Sequence, residues 1–195
     1  MRSATRSAAI ALLLFGVATI GHAEDGSDPR ASAAEAFLPT PDIVPSGFRH
    51  EPKFDQQLGA DGTLRILRMY TRGDPDAPTG DHASLLVSVA VSDTLDEARQ
   101  EFADVVSGLE GKGYTVIPLD GMLGDEAVAR TWDLYTGTNH PKSAAAVHFR
   151  SGTVTIAVQW TDNPDQPVLE MALATARALA TQAPYGRGVP KLIAA

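Results

Sequence analysis

"AAAVHFRSGTVTIAVQW", Ala144 to Trp160, consists of two alternating runs joined across Ser151 and Gly152. Successive side chains of a strand point to opposite faces, so such alternation reads as a half-buried strand, and a small pair between two runs reads as a hairpin turn. With Ser151-Gly152 as the turn, Arg150 pairs with Thr153, Phe149 with Val154, His148 with Thr155 and Val147 with Ile156. One face collects Val147, Phe149, Val154, Ile156, Val158 and Trp160 and belongs to a core. The other carries Ala146, His148, Arg150, Thr155, Ala157 and Gln159. A helix lying over the alanines leaves His148 and Arg150 meeting water.

Upstream, "SLLVSVAVS" (Ser84–Ser92) puts Leu85, Val87, Val89 and Val91 on one side and the small or apolar Leu86, Ser88 and Ala90 on the other. A strand without a strongly polar face belongs in the middle of a sheet covered on both sides. Further strands are expected at Phe48–Phe54, Leu64–Thr71, Tyr114–Pro118 and Ala127–Tyr135. Trp132 and Trp160 fall at core parity. Thr94, with Glu97 three positions on, forms a capping box, and Leu95, Ala98, Phe102, Val105 and Leu109 recur at helical spacing until Gly111 and Gly113. A last helix is marked by Leu169, Ala172, Leu173, Ala176, Leu179 and Ala180. The fold class is α+β, an antiparallel sheet of about six or seven strands packed by two helices, near 94–110 and 167–182.

"GMLGDEAVARTW", Gly121 to Trp132, sets two acids side by side before the fifth of these strands. Gly121 and Gly124 supply positive φ, and Asp125 bonds its own turn. As consecutive strand residues, Asp125 and Glu126 point apart and do not converge on one water or metal. Glu126 and Arg130 share a parity, which suggests a same-face ion pair.

At the N-terminus, Arg2 and Arg6 precede an apolar run from Ala8 to Ile20, with Gly21 and Ala23 at small-residue positions, the layout of a secretory signal peptide over 1–23. The run of 13 residues is short for a membrane-spanning helix, which needs about 20. Cleavage near Ala23 removes two of the 16 lysines and arginines and leaves 14 against 24 acidic residues, a charge of −10. The product is expected to be secreted or periplasmic, without a stable membrane anchor. Its acidity repels phosphate backbones and disfavours nucleic acid as a partner. The absence of cysteine excludes disulfides, a lipid-anchored cysteine, an iron-sulfur cluster and a thiol nucleophile. Residues 24–36 read as a flexible spacer, because they offer almost no large apolar side chain. The domain is expected over 37–183, with a poorly ordered tail over 184–195.

Candidate sites are few. His148 beside Arg150 offers two neighbouring cationic donors for an anionic ligand. The loop "TRGDPDAPTGDHA" groups Asp74, Asp76 and Asp81, an oxygen-rich set of the kind that holds calcium, although prolines interrupt the ligand spacing. His50, His82, His140 and His148 show no zinc-ligand spacing. There is no G-x-S-x-G elbow, phosphate loop or dinucleotide fingerprint. No cofactor and no catalytic residue is expected from these patterns.

The proline-rich entry "LPTPDIVPSGF", the helix after "VSDTLDEARQEF", the "LGDEA" turn, the "VHFRSGTVTIAV" hairpin and the closing alanine-rich helix together resemble a group of secreted bacterial proteins with a PsbP-like α/β sandwich domain. The resemblance covers about Phe37 to Ala183 and carries no active-site pattern. Some similar lipoproteins have a membrane-anchoring cysteine, which this chain lacks. It implies a sheet-and-helix module used for docking or small-ligand binding. The expected function is therefore a non-enzymatic exported binding or interaction module, with an unknown protein or small molecule as partner. The alternatives are a hydrolase or lyase that uses His148 with a nearby carboxylate, and a calcium-stabilised structural accessory protein.

Overall fold

Glycine reaches positive φ without steric cost, and this places the hairpin turn. In the computed structural model, which describes residues 28–60, 62–74, 81–108, 114–119, 121, 123–135 and 140–182, Gly152 has φ +58° and stands first in the turn, followed by Thr153. The strands β7 (Pro141–Ser151) and β8 (Val154–Asp162) therefore pair Ser151 with Val154, Arg150 with Thr155 and Phe149 with Ile156. Each partner lies two residues from the one expected with Ser151-Gly152 as the turn. Because the strand period is two, every side chain keeps its expected face.

Around this hairpin stand β1 (Arg49–His50), β2 (Gln56–Ala60), β3 (Thr63–Gly73), β4 (His82–Ser92), β5 (Thr115–Pro118) and β6 (Glu126–Tyr135). All pairings are antiparallel, in the order β1-β3-β4-β8-β7-β6-β5, with β2 also on β3, which makes eight strands rather than six or seven. β4 lies between β3 and β8, as its two weakly polar faces require. The strand expected over 48–54 is cut to two residues, because Pro52 opens a short 3-10 helix, Pro52–Phe54. β2, with the sequence QQLGA, has no apolar alternation and is held by its pairing with β3.

Three helices cover the sheet: α1 (Pro29–Glu35), α2 (Leu95–Ser107) and α3 (Val168–Gln182). α2 opens on the expected capping box, in which the Glu97 amide donates to Thr94 Oγ1 and the Thr94 amide to Glu97 Oε2. It ends at Gly108, so Gly111 and Gly113, outside the described residues, do not set its limit. Over its described part, residues 28–36, the stretch 24–36 read as a spacer is instead folded, and α1 is the correction. Asp28 caps it by accepting from the Arg30 amide, Pro29 takes the first position, and Ala34 is fully buried in the main core. A helix of 7 residues is too short to persist alone. Packing holds it, helped by Arg30, which bridges Asp28 at 2.7 Å to Asp93 at 3.1 Å. Large apolar side chains were the wrong criterion here, since alanine favours helix and permits close approach. The expected signal peptide and the tail lie outside the described residues.

The two faces of the sheet are buried differently. Beneath α1 and α3 lies an apolar core of Ile66, Leu85, Val87, Val89, Phe149, Ile156 and Trp160, closed by Ala172, Ala176 and Leu179. Each large side chain there contributes about 1.5 to 3 kcal/mol by leaving water. Beneath α2 the sheet is largely polar, with Phe102 and Val128 forming a small apolar cluster.

Gly124 (φ +56°) lies where an added Cβ would collide with the Arg150 carbonyl oxygen, whereas Gly121 (φ +70°) faces open space. Gly124→Ala is expected to destabilise the fold by more than about 2 kcal/mol and Gly121→Ala by about 1 kcal/mol, measured by urea unfolding. Equal losses would refute the collision.

Candidate functional site

Arg150 does not meet water. It is 4% exposed, and its guanidinium is held by both members of the acid pair, with Nε donating to Glu126 Oε2 at 2.6 Å and Nη1 to Asp125 Oδ2 at 3.0 Å. Nη1 also donates to the Gly152 carbonyl, and Asp125 Oδ2 accepts from the Gly152 amide. The two carboxylates thus converge on one cation, against the expectation from strand alternation. The physical reason is that β6 begins at Glu126, directly opposite Arg150, while Asp125 belongs to the preceding bend and escapes the alternation. The acid pair is spent on binding the corner of β6 and the β7–β8 turn together. Arg150 is therefore already paired with two carboxylates, unlike the open cationic donor the anion reading assumed. Arg130, the other expected partner of Glu126, lies over the rings of Tyr114 and Trp132, at 4.8 and 4.9 Å, and these two rings touch each other edge-on.

His148 is also buried, at 3% exposure, and neither ring nitrogen has a hydrogen-bond partner. Burial, followed by the charges of Arg130 and Arg65, pushes its pKa down to about 3. A general base needs a partner within hydrogen-bond reach, and no carboxylate meets this ring. Glu101 of α2 instead bonds Arg65, which also donates to the Ser88 hydroxyl at 3.3 Å. Burial raises the Glu101 carboxyl despite the pull of Arg65; the Ser92 hydroxyl lowers it slightly, yet Oε2 makes no hydrogen bond of ordinary geometry. Thr155 Oγ1 and Arg130 Nε are likewise buried without partners.

Of the calcium-loop residues, Asp74 and Asp81 are exposed and Asp76 lies outside the described residues. Among the described residues, no three His, Asp or Glu side chains gather as a metal would require. A further buried cation lies at the start of β7. Lys142 is fully buried, with Nζ donating to the His82 carbonyl at 2.7 Å and to Asn163 Oδ1 at 2.6 Å. Burial lowers its pKa, and nearby Asp162, itself paired with Arg72 at 3.0 Å, pulls the other way. Nothing in the run "HPKSA" marks it.

Among the described residues, a concave feature lies on the opposite face. α3 and the segment 40–45 flank an open cleft of about 580 Å³ that reaches Trp160. The core stripe of α3 faces the sheet through Ala172, Ala176 and Leu179, which leaves Met171, Ala174, Thr175 and Ala178 as one wall of the cleft. Thr40, Asp42, Ile43 and Pro45 form the other. Prolines at 39, 41 and 45 keep this segment out of helix and sheet, so it stands off as a wall. Trp160 is 1% exposed and packs against Phe48, with ring centroids 5.1 Å apart, while its Nε1 has no partner. At one end Gln182 donates to the Leu38 carbonyl at 3.1 Å, which ties the two walls together.

Comparison with known proteins finds no matching family model, no matching curated protein and no matching solved structure.

The burial of His148 has a pH signature. Below its ordinary value of 6.5 the unfolded chain takes up a proton that the folded chain refuses until about pH 3. Stability should fall as pH drops through that window, by at most about 1.4 kcal/mol per unit. Glu101, raised above its ordinary 4.5, acts with the opposite sign just above that value. His148→Leu should therefore gain about 2 to 3 kcal/mol over the wild type between neutral pH and pH 4.5. Urea unfolding at both pH values measures this, and parallel pH dependences would refute it.

Proposed function

We propose that this chain is an exported, non-enzymatic binding module whose ligand is a small molecule held in the cleft between α3 and the segment 40–45. The observation that carries the reading is the cleft itself. It is an open cleft of about 580 Å³ in which apolar side chains stand beside a few polar groups and which reaches the buried Trp160. The other polar sites point away from chemistry: Arg150 is clamped by two carboxylates, and His148 is neutral and sealed under α2. Export rests on the signal-like segment 1–23, and the resemblance to PsbP-like domains adds weight to a ligand-binding or docking role.

Native mass spectrometry of the protein purified without denaturant should find a bound small molecule, and Ala178→Trp, which fills the cleft from α3, should lose it. If the same adduct persists in the variant, or neither protein carries one, the cleft is not the binding site.

A further inference from the structure

Among the described residues, Arg65 and Arg150 on the α2 face of the sheet each meet a carboxylate, and Arg130 on the same face meets none. Arg130 is 7% exposed, and its side chain makes no hydrogen bond among the described residues. Nε is sealed from solvent, whereas Nη1 and Nη2 keep contact with it. Burial lowers its pKa and Tyr114 alone pulls the other way, but a guanidinium stays charged regardless. The acids of this face are committed elsewhere, Glu126 to Arg150 and Glu101 to Arg65. A cation so placed is costly until something supplies the opposite charge. The rings of Tyr114 and Trp132 attract it, but they do not accept its N–H donors as an oxygen would.

Register sets what surrounds this group. Val116 pairs with Arg130 across β5 and β6, and Tyr114 meets Trp132 edge-on, with ring centroids 5.4 Å apart. By the strand period these four side chains share one face, at the end of the sheet that β5 closes. Val116 is 42% exposed, and Tyr114 and Trp132 are partly exposed. A cationic fork whose tip reaches solvent thus stands beside an apolar surface that solvent also reaches. From this arrangement we infer that Arg130 anchors a second binding site, for a small carboxylate with an apolar body. The carboxylate oxygens accept from Nη1 and Nη2, a planar match that arginine makes well, and the body lies on Val116 and the exposed parts of the two rings. This site is on the other side of the sheet from the cleft and does not depend on it.

Saturation-transfer NMR with hexanoate, hexanol and hexylammonium compares three head groups on one body. Hexanoate should bind the purified protein about tenfold more tightly than either of the others. Arg130→Gln should bring hexanoate down to the level of hexanol and leave hexanol unchanged. Val116→Asp, at an exposed position, sets a carboxylate opposite Arg130 and should abolish the advantage of hexanoate by occupying the fork; it carries the test alone if Arg130→Gln does not fold. Ala178→Trp, in the cleft, should leave the advantage intact. Equal binding of the three probes, an advantage that survives Arg130→Gln or Val116→Asp in a folded protein, or one lost in Ala178→Trp overturns the inference, and none of the first three results touches the cleft reading.

Discussion

The central strands of this sheet must be covered twice, because β4, β7 and β8 have no face that tolerates water throughout. One cover, α1 with α3, meets an apolar surface and closes by dispersion and dehydration. The other, α2, descends on arginines, a histidine and a threonine, so each of those groups needs its own means of surviving burial. Arg150 takes two carboxylates, Arg65 takes Glu101, Arg130 takes two aromatic rings, and His148 stays neutral. A buried cation stripped of its partner is far costlier than an exposed one, so the Arg65–Glu101 pair depends on α2 staying in place.

Alternation was enough to sort the hairpin into its two faces, since any register error of two residues preserves them. It was not enough to say that the second face is buried. His148, Arg150 and Thr155 have the chemistry of solvent-facing residues, and only the helix above them removes the solvent. A clue was present in α2: Glu101 lies three residues after Ala98 and four before Val105, on the apolar side of the helix, where a carboxylate implies a buried cation opposite. Asp125 escapes the alternation because it lies one residue before the start of the strand. In α1, Asp28 followed by Pro29 is a helix-start signal that the low content of large apolar residues concealed. The cleft had no such local signal. Its walls come from residues 40–45 and 171–182, far apart in the chain and joined only by the fold.

That separation has a consequence in time. The hydrogen bond from Gln182 to Leu38 spans 144 positions, and α3 is the last described element of the chain. Hairpins such as β3–β4 and β7–β8 can form as soon as their own residues are present, but the early wall at 40–45 has nothing to face until the final helix docks. The cleft therefore comes into being only after α3 has been made and docked, so a nascent chain that still lacks this helix has one wall and no cleft.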